Sequence, residues 1–193
     1  IQGHSVPCYN LLSKSERNAL GNYLQRVNGE LLDYGCGLSF LSELVNEKTQ
    51  MTGLDFSEFA IEYNRKHFPE YLFELAHLNL VPDVSKYEHI LINDAFYHFS
   101  KPFRHIQQLL KSKPKSLYWV HNFKEEIGEL ALKGYSVEDT DYTPEFKALV
   151  NSWLSIIDEA SVQEERKKYP LIWDTLEKEM KAHRQGLQNQ KLH

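Results

Sequence analysis

The chain alternates short, almost wholly apolar runs with stretches whose apolar residues recur at helical spacing. Leu12, Ala19, Leu20, Tyr23, Leu24 and Val27 line one face of a helix predicted over 13–27, with Ser13 or Ser15 as its cap and Asn28-Gly29 as its stop. A strand over Glu30–Tyr34 leads through Gly35-Cys36-Gly37 into a helix over Leu38–Val45. The same alternation then predicts a strand over Met51–Asp55 and a helix over Ser57–His67, capped by Ser57 and ended by Pro69. Strands follow over Tyr71–Ala76, His89–Asn93 and Ser116–His121, with a helix over Pro102–Lys111 between the last two. Ile90-Leu91-Ile92 has no polar face, and strands apolar on both sides that alternate with helices indicate a parallel sheet covered on both faces.

Beyond Phe123 the strand signal stops. Lys124–Leu132 reads as helix and Lys133-Gly134-Tyr135 as a turn. Pro144–Ala160 presents Phe146, Leu149, Val150, Trp153, Leu154 and Ile157 on one face, and Ser161–Arg184 reads as a further helix interrupted at Pro170, with a polar, frayed tail after Gly186. These faces read as core, and the helices are expected to cover the sheet's carboxyl edge or an oligomer interface, which leaves a homodimer as a possible assembly.

Composition narrows the classes. With 193 residues, 41% of them hydrophobic and 25% charged, the chain has the profile of one soluble globular domain, expected over 5–193 with a core of 30–123 and a helical region of 124–186. No apolar run reaches the ~18 residues of a membrane span, and no basic start precedes an apolar stretch, so neither a membrane nor a secretory signal is expected. Two cysteines, Cys8 and Cys36, make no disulfide framework, which fits a cytoplasmic location. A net charge of −5 argues against nucleic acid as a partner but leaves room for a local basic face. The histidines show no metal-ligand spacing, so no metal is expected.

The chemistry concentrates where the first two strands end. Glycines at a strand-to-helix turn let the backbone approach a ligand closely, and Gly35 and Gly37 sit there, with Asp33 two residues before the first of them. Gly53-Leu54-Asp55-Phe56-Ser57 places a carboxylate at the end of the second strand, about 20 residues on, where a doubly wound sheet presents it to a ribose.

On these residues the chain resembles the class I S-adenosylmethionine-dependent methyltransferases, over about Leu31–Asn122. Asp33-Tyr34-Gly35-Cys36-Gly37 looks like that family's first motif, and Asn93-Asp94-Ala95-Phe96-Tyr97-His98-Phe99 resembles the end of its fourth-strand motif. The resemblance implies an α/β fold with a doubly wound, mostly parallel Rossmann-like sheet, and S-adenosylmethionine as cofactor. It implies Gly35 and Gly37 beneath the methionine part, Asp33 towards its ammonium, Asp55 at the ribose hydroxyls and Phe56 beside the adenine. His77, Leu78 and Asn93 complete the expected cofactor contacts. Ser39 stands where the family has its third glycine, His77-Leu78-Asn79 where it commonly has an aspartate, and helix where it has a terminal strand hairpin. A shortened or remodelled sheet with a helical C-terminal region is therefore expected.

The resemblance implies methyl transfer and is almost silent on the acceptor, which is expected to be nitrogen or oxygen of a small molecule. His98 and His121 follow the fourth and fifth strands and are the candidate bases for a hydroxyl. Cys36 lacks an activating neighbour and reads as a small residue tolerated in the turn. Three rivals remain: a lyase or cyclase on the same cofactor, a non-catalytic cofactor-binding partner subunit, and a nicotinamide dehydrogenase. The last is disfavoured by Phe40, which stands where that fingerprint needs a small residue.

Overall fold

The computed structural model describes residues 12–77, 80–93, 95, 99, 101–120, 134–136, 138, 140–157, 159–168 and 170–189. The chain separates into two compact units, one holding Ala19–Val137 and the other Leu11–Asn18 with Glu138–His193. The division falls inside the first helix.

The larger unit is an α/β sheet. Five strands, β1 (Gly29–Tyr34), β2 (Thr49–Asp55), β3 (Leu72–Leu75), β4 (His89–Asn93) and β5 (Ser116–Val120), lie in the order β3-β2-β1-β4-β5. All pairings are parallel, with Asp33 opposite Gly53 on one side and Leu91 on the other. The chain thus steps outward from β1 to β3, returns across the sheet to β4, and continues outward to β5. That reversal beside β1 is the doubly wound topology expected from the sequence, and right-handed crossovers place connections made before and after it on opposite faces.

Each face has its own core. Leu32, Tyr34, Leu54, Ile90 and Ile92 pack with Val84, Tyr87, Ala95, Phe99, Ile106 and Leu109 in one buried cluster. This is the face covered by α3 (Pro102–Leu110), which starts with Pro102 in its first turn, where the missing N–H costs nothing. On α2 (Glu58–His67) the buried residues are Ala60, Ile61 and Asn64. The Ser57 hydroxyl caps α2 by accepting the Ala60 N–H at 3.3 Å, and Arg65, Lys66 and His67 oppose the dipole at its end.

Helix α1 (Lys14–Arg26) begins with a capping box: Ser13 Oγ accepts the Glu16 N–H at 3.2 Å, and the Glu16 carboxylate accepts the Ser13 N–H at 2.7 Å. Of the two expected caps, Ser13 is therefore the one used, while Ser15 donates to Glu145 at 2.9 Å. At the other end, Asn46 Nδ2 donates to the Leu24 and Gln25 carbonyls at 3.1 Å and Thr49 Oγ1 to that of Val27 at 2.7 Å, satisfying acceptors that the helix leaves orphaned.

Two local expectations are corrected. The helix predicted over Leu38–Val45 is a five-residue 3-10 segment, Phe40–Leu44. Ser39 enters it in the left-handed region (φ 44°, ψ 38°) and Val45 leaves it extended, so an α-helix can neither start earlier nor run on. The tail after Gly186 stays helical as far as Asn189.

The smaller unit carries α4 (Thr143–Ile156), α5 (Ala160–Lys168) and α6 (Pro170–Asn189), with the predicted interruption just before Pro170. Its apolar positions meet one another. Trp153 and Trp173 lie 5.4 Å apart by ring centroids, Phe146 meets His183 edge-on at 5.2 Å, and Val150, Ile157, Leu176 and Met180 are buried. Arg166 joins α5 to α6 through Asp174 and Glu177. No helix among the described residues is long and apolar enough to cross a membrane.

Gly53 shows how tightly β2 is packed. A Cβ there would lie 2.6 Å and 2.8 Å from the Phe73 ring and 2.9 Å from Cys36 Sγ. Phe73 is fully buried and has nowhere to move. Gly53→Ala should therefore destabilise the chain by about 1–3 kcal/mol, the usual cost of overpacking. Urea unfolding measures this, and an unchanged midpoint would contradict the packing described.

Candidate functional site

The carboxyl ends of β1, β2 and β4 converge beside the reversal of strand order, where open α/β sheets bind ligands. After Tyr34 the chain turns sharply, and the N–H groups of Gly35 and Cys36 both reach the Leu54 carbonyl, at 2.7 Å and 3.0 Å. Gly35 has φ +86°, and a Cβ on it would lie 2.3 Å from that of Ala95. Gly37 has φ +50° and nothing within 4 Å of where its Cβ would be. The first glycine thus allows close approach to the end of β4, and the second keeps the turn open on its outer side.

The turn is held by Asp55. Its Oδ2 accepts the Gly37 N–H at 2.9 Å and its Oδ1 the Ser57 N–H at 2.8 Å. From below, Asn64 on α2 donates to the Gly37 carbonyl at 2.7 Å. Ser39, a non-glycine in the left-handed region, has its N–H on the Cys36 carbonyl at 2.8 Å and its hydroxyl 2.9 Å from that of Ser42.

Two polar side chains beside this turn have no hydrogen-bond partner among the described residues. Asp33 is 1% exposed and neither carboxylate oxygen is partnered; Asn93 is 3% exposed and neither its amide nitrogen nor its oxygen is. Burying such groups unpaired costs kilocalories each unless something else satisfies them. Burial, reinforced by the charge of Asp55, pushes the Asp33 carboxyl up to about 7. The same burial, with Asp33 and Asp55 nearby, raises the Cys36 thiol well above its ordinary value, so Cys36 is no nucleophile. Among the described residues no group of three His, Cys, Asp or Glu could hold a metal ion.

Of the residues singled out in the sequence, Asp33, Gly35, Gly37, Asp55 and Asn93 come together at this edge. Phe56, 36% exposed, follows directly after β2, and His77, also exposed, lies just beyond β3. Leu78, His98 and His121 lie outside the described residues. The sequence reading missed Asn64. Its signal was present: a polar residue in the buried stripe of α2, where Ala60 and Ile61 mark the apolar face. It also missed the Tyr34 hydroxyl, 3.4 Å from His105 Nδ1, on the opposite face of the sheet.

A doubly wound parallel sheet with an acid-supported glycine turn at its switch point defines a nucleotide-type binding domain. Comparison with known proteins narrows this. A family described as "Methyltransferase domain" matches residues 25–190, and the chain belongs to that family. No curated protein matches. Among solved structures, the plantazolicin methyltransferase BpumL, in complex with a triazolic desmethylPZN analog and SAH, is 26% identical with a TM-score of 0.41, over 49% of this chain and 38% of that one. An S-adenosylmethionine-dependent methyltransferase from Mesorhizobium loti is 25% identical with a TM-score of 0.42, over 49% of this chain and 48% of the other. A putative methyltransferase of Haloferax volcanii, in complex with the activator Trm112, is 20% identical with a TM-score of 0.42, over 48% and 44%. The chain spans less than half the length of these three structures.

The buried carboxyl of Asp33 makes stability depend on pH. Its folded-state value of about 7 lies above the ordinary 3.8, so the folded chain keeps a proton that the unfolded chain releases. The resulting stabilisation is complete below 3.8 and is lost as pH rises through about 7. Asp33→Asn should remove that dependence and leave the ligand-free protein about 1–4 kcal/mol more stable than the native chain at alkaline pH. Urea unfolding of both across this range measures it; parallel pH profiles would contradict the assignment.

Proposed function

We propose that this chain binds S-adenosylmethionine at the glycine turn and transfers its methyl group to nitrogen or oxygen of a small-molecule acceptor. The observation that carries the reading is the unpartnered, buried pair of Asp33 and Asn93 beside a turn held by Asp55. The site asks for a ligand with a cationic donor for one side chain and mixed polarity for the other, and an amino-acid moiety with an ammonium and a carboxylate has both. Asp33 would take the ammonium, whose charge relieves what burial costs the carboxylate. The outer face of Gly37 gives the chain's backbone room to lie against the methionine part.

Asp55 already uses one lone pair of each oxygen on the turn, and a carboxylate has about four acceptor sites, so it can also receive two ribose hydroxyls. Phe56 offers an apolar surface to the adenine, with His77 and Leu78 nearby in sequence. When bound, the sulfonium supplies an electrophilic methyl carbon. The protein's own task is then to hold the acceptor in line and exclude water, which proximity and orientation reward. A neutral amine needs no base. For a hydroxyl, His98 and His121 are the candidate bases. The methyltransferase family to which the chain belongs supports this choice of reaction.

Isothermal titration tests it. S-adenosylmethionine and its demethylated product should each bind saturably and NAD should not; NAD binding without the sulfonium would overturn the proposal. Asp55→Ala should weaken cofactor binding by about 1–3 kcal/mol, the range for lost hydrogen bonds to a charged group. A thermal melt of the same variant separates this loss from unfolding. Turnover on a panel of amines and alcohols then distinguishes methyl transfer from cofactor cleavage or simple binding.

A further inference from the structure

The return crossing from β3 to β4 spans residues 76–88, and none of its described residues is helical. Parallel strands are usually joined by a helix that covers the sheet. Here Pro82 and its short surrounding run favour extended chain, and the crossing lies on the face that α3 covers. Beside α3 this leaves a cavity of about 680 Å³, within the range of small-molecule sites.

The two walls differ in character. Leu80, Val81, Pro82 and Val84 form an apolar side. Opposite them, Lys101, Arg104, Gln108 and Lys111 follow one another at helical spacing, a polar stripe ~15 Å long at the rise of an α-helix. None of these three cations makes an ion pair with a described residue. The one carboxylate in the lining, Asp83, accepts the N–H of Ser85 at 3.0 Å and is engaged in its own turn. His105, 6% exposed, also lines the cavity, with its ring against Phe99 and its Nδ1 facing Tyr34. In a chain of net charge −5, three cations along one wall of the cavity, none ion-paired to a described residue, form a local inversion of sign.

We propose that this cavity is a second ligand site, for a small organic anion with an apolar body: the carboxylate, sulfonate or phosphate along α3 and the hydrocarbon against Leu80–Val84. None of the residues expected to hold the cofactor lines it, so the proposal stands apart from the function argued above.

Anilinonaphthalene sulfonate, an apolar anion that fluoresces when it leaves water, is a direct probe. It should bind the full chain at one saturable site, and added salt should weaken it. The double variant Arg104→Glu, Lys111→Glu should lose about tenfold or more in affinity, because both charges beside the anion are reversed. The charge-conserving pair Arg104→Lys, Lys111→Arg should keep it. Burial and the Arg104 charge hold His105 below its ordinary value, and the bound anion should move its imidazole resonances towards protonation. Charge reversal without effect in a variant whose melting temperature is unchanged would overturn the proposal. So would equal binding of the neutral analogue N-phenylnaphthylamine. If the reversed variant does not fold, the neutral analogue and the salt series decide.

Discussion

Both oxygens of the Asp55 carboxylate hold backbone N–H groups, one of Gly37 in the turn after β1 and one of Ser57 at the start of α2. This bridge ties the turn after β1, the end of β2 and the start of α2 to one carboxylate. Three residues of the turn, Gly35, Gly37 and Ser39, are left-handed. Local strain of this kind persists only where the surroundings over-determine it. Asp55 fixes the turn from the side of β2, Asn64 from α2, and the Leu54 carbonyl from within the sheet.

The same arrangement sets the electrostatics. Placing Asp55 at the turn puts a second carboxylate within the field of Asp33, which is already fully buried. Two acids held this way, with Asn93 also unpaired, make an edge that is costly by itself and favourable to a cation. Three left-handed residues, Gly35, Gly37 and Ser39, and two buried side chains without a described partner, Asp33 and Asn93, fall at this one edge of the sheet. Such concentration is the physical mark of a binding site.

Connection length has a comparable influence on the two faces. Between β1 and β2 the chain has room only for a 3-10 segment, because Asn46 and Thr49 are drawn back to the carbonyls at the end of α1. Between β3 and β4 the described chain forms turns and no helix, and the sheet face beside α3 is left incompletely filled. The sheet tolerates both economies since its central strands, β1 and β4, are buried by their own apolar side chains.

Much of this was legible in the sequence. Continuous apolar runs such as Ile90-Leu91-Ile92 can only be buried strands when helices flank them, and the Asp33–Gly37 turn with Asp55 carries a spacing that few other arrangements need. The α-helices announce themselves by period and by Ser13, Ser57 and Pro102 at their starts, because caps act over three or four residues and are written locally. What depends on partners distant in sequence was not legible. Nothing local distinguishes Ser39 as left-handed, or the segment after it as 3-10. The link from Asn64 to Gly37 spans 27 residues and that from Tyr34 to His105 spans 71. The missing crossover helix became significant only once the strand order put its path beside α3. Periodicity and capping determined which elements form; the crossing of the sheet alone decided which polar groups would be buried together, since that depends on which strands become neighbours.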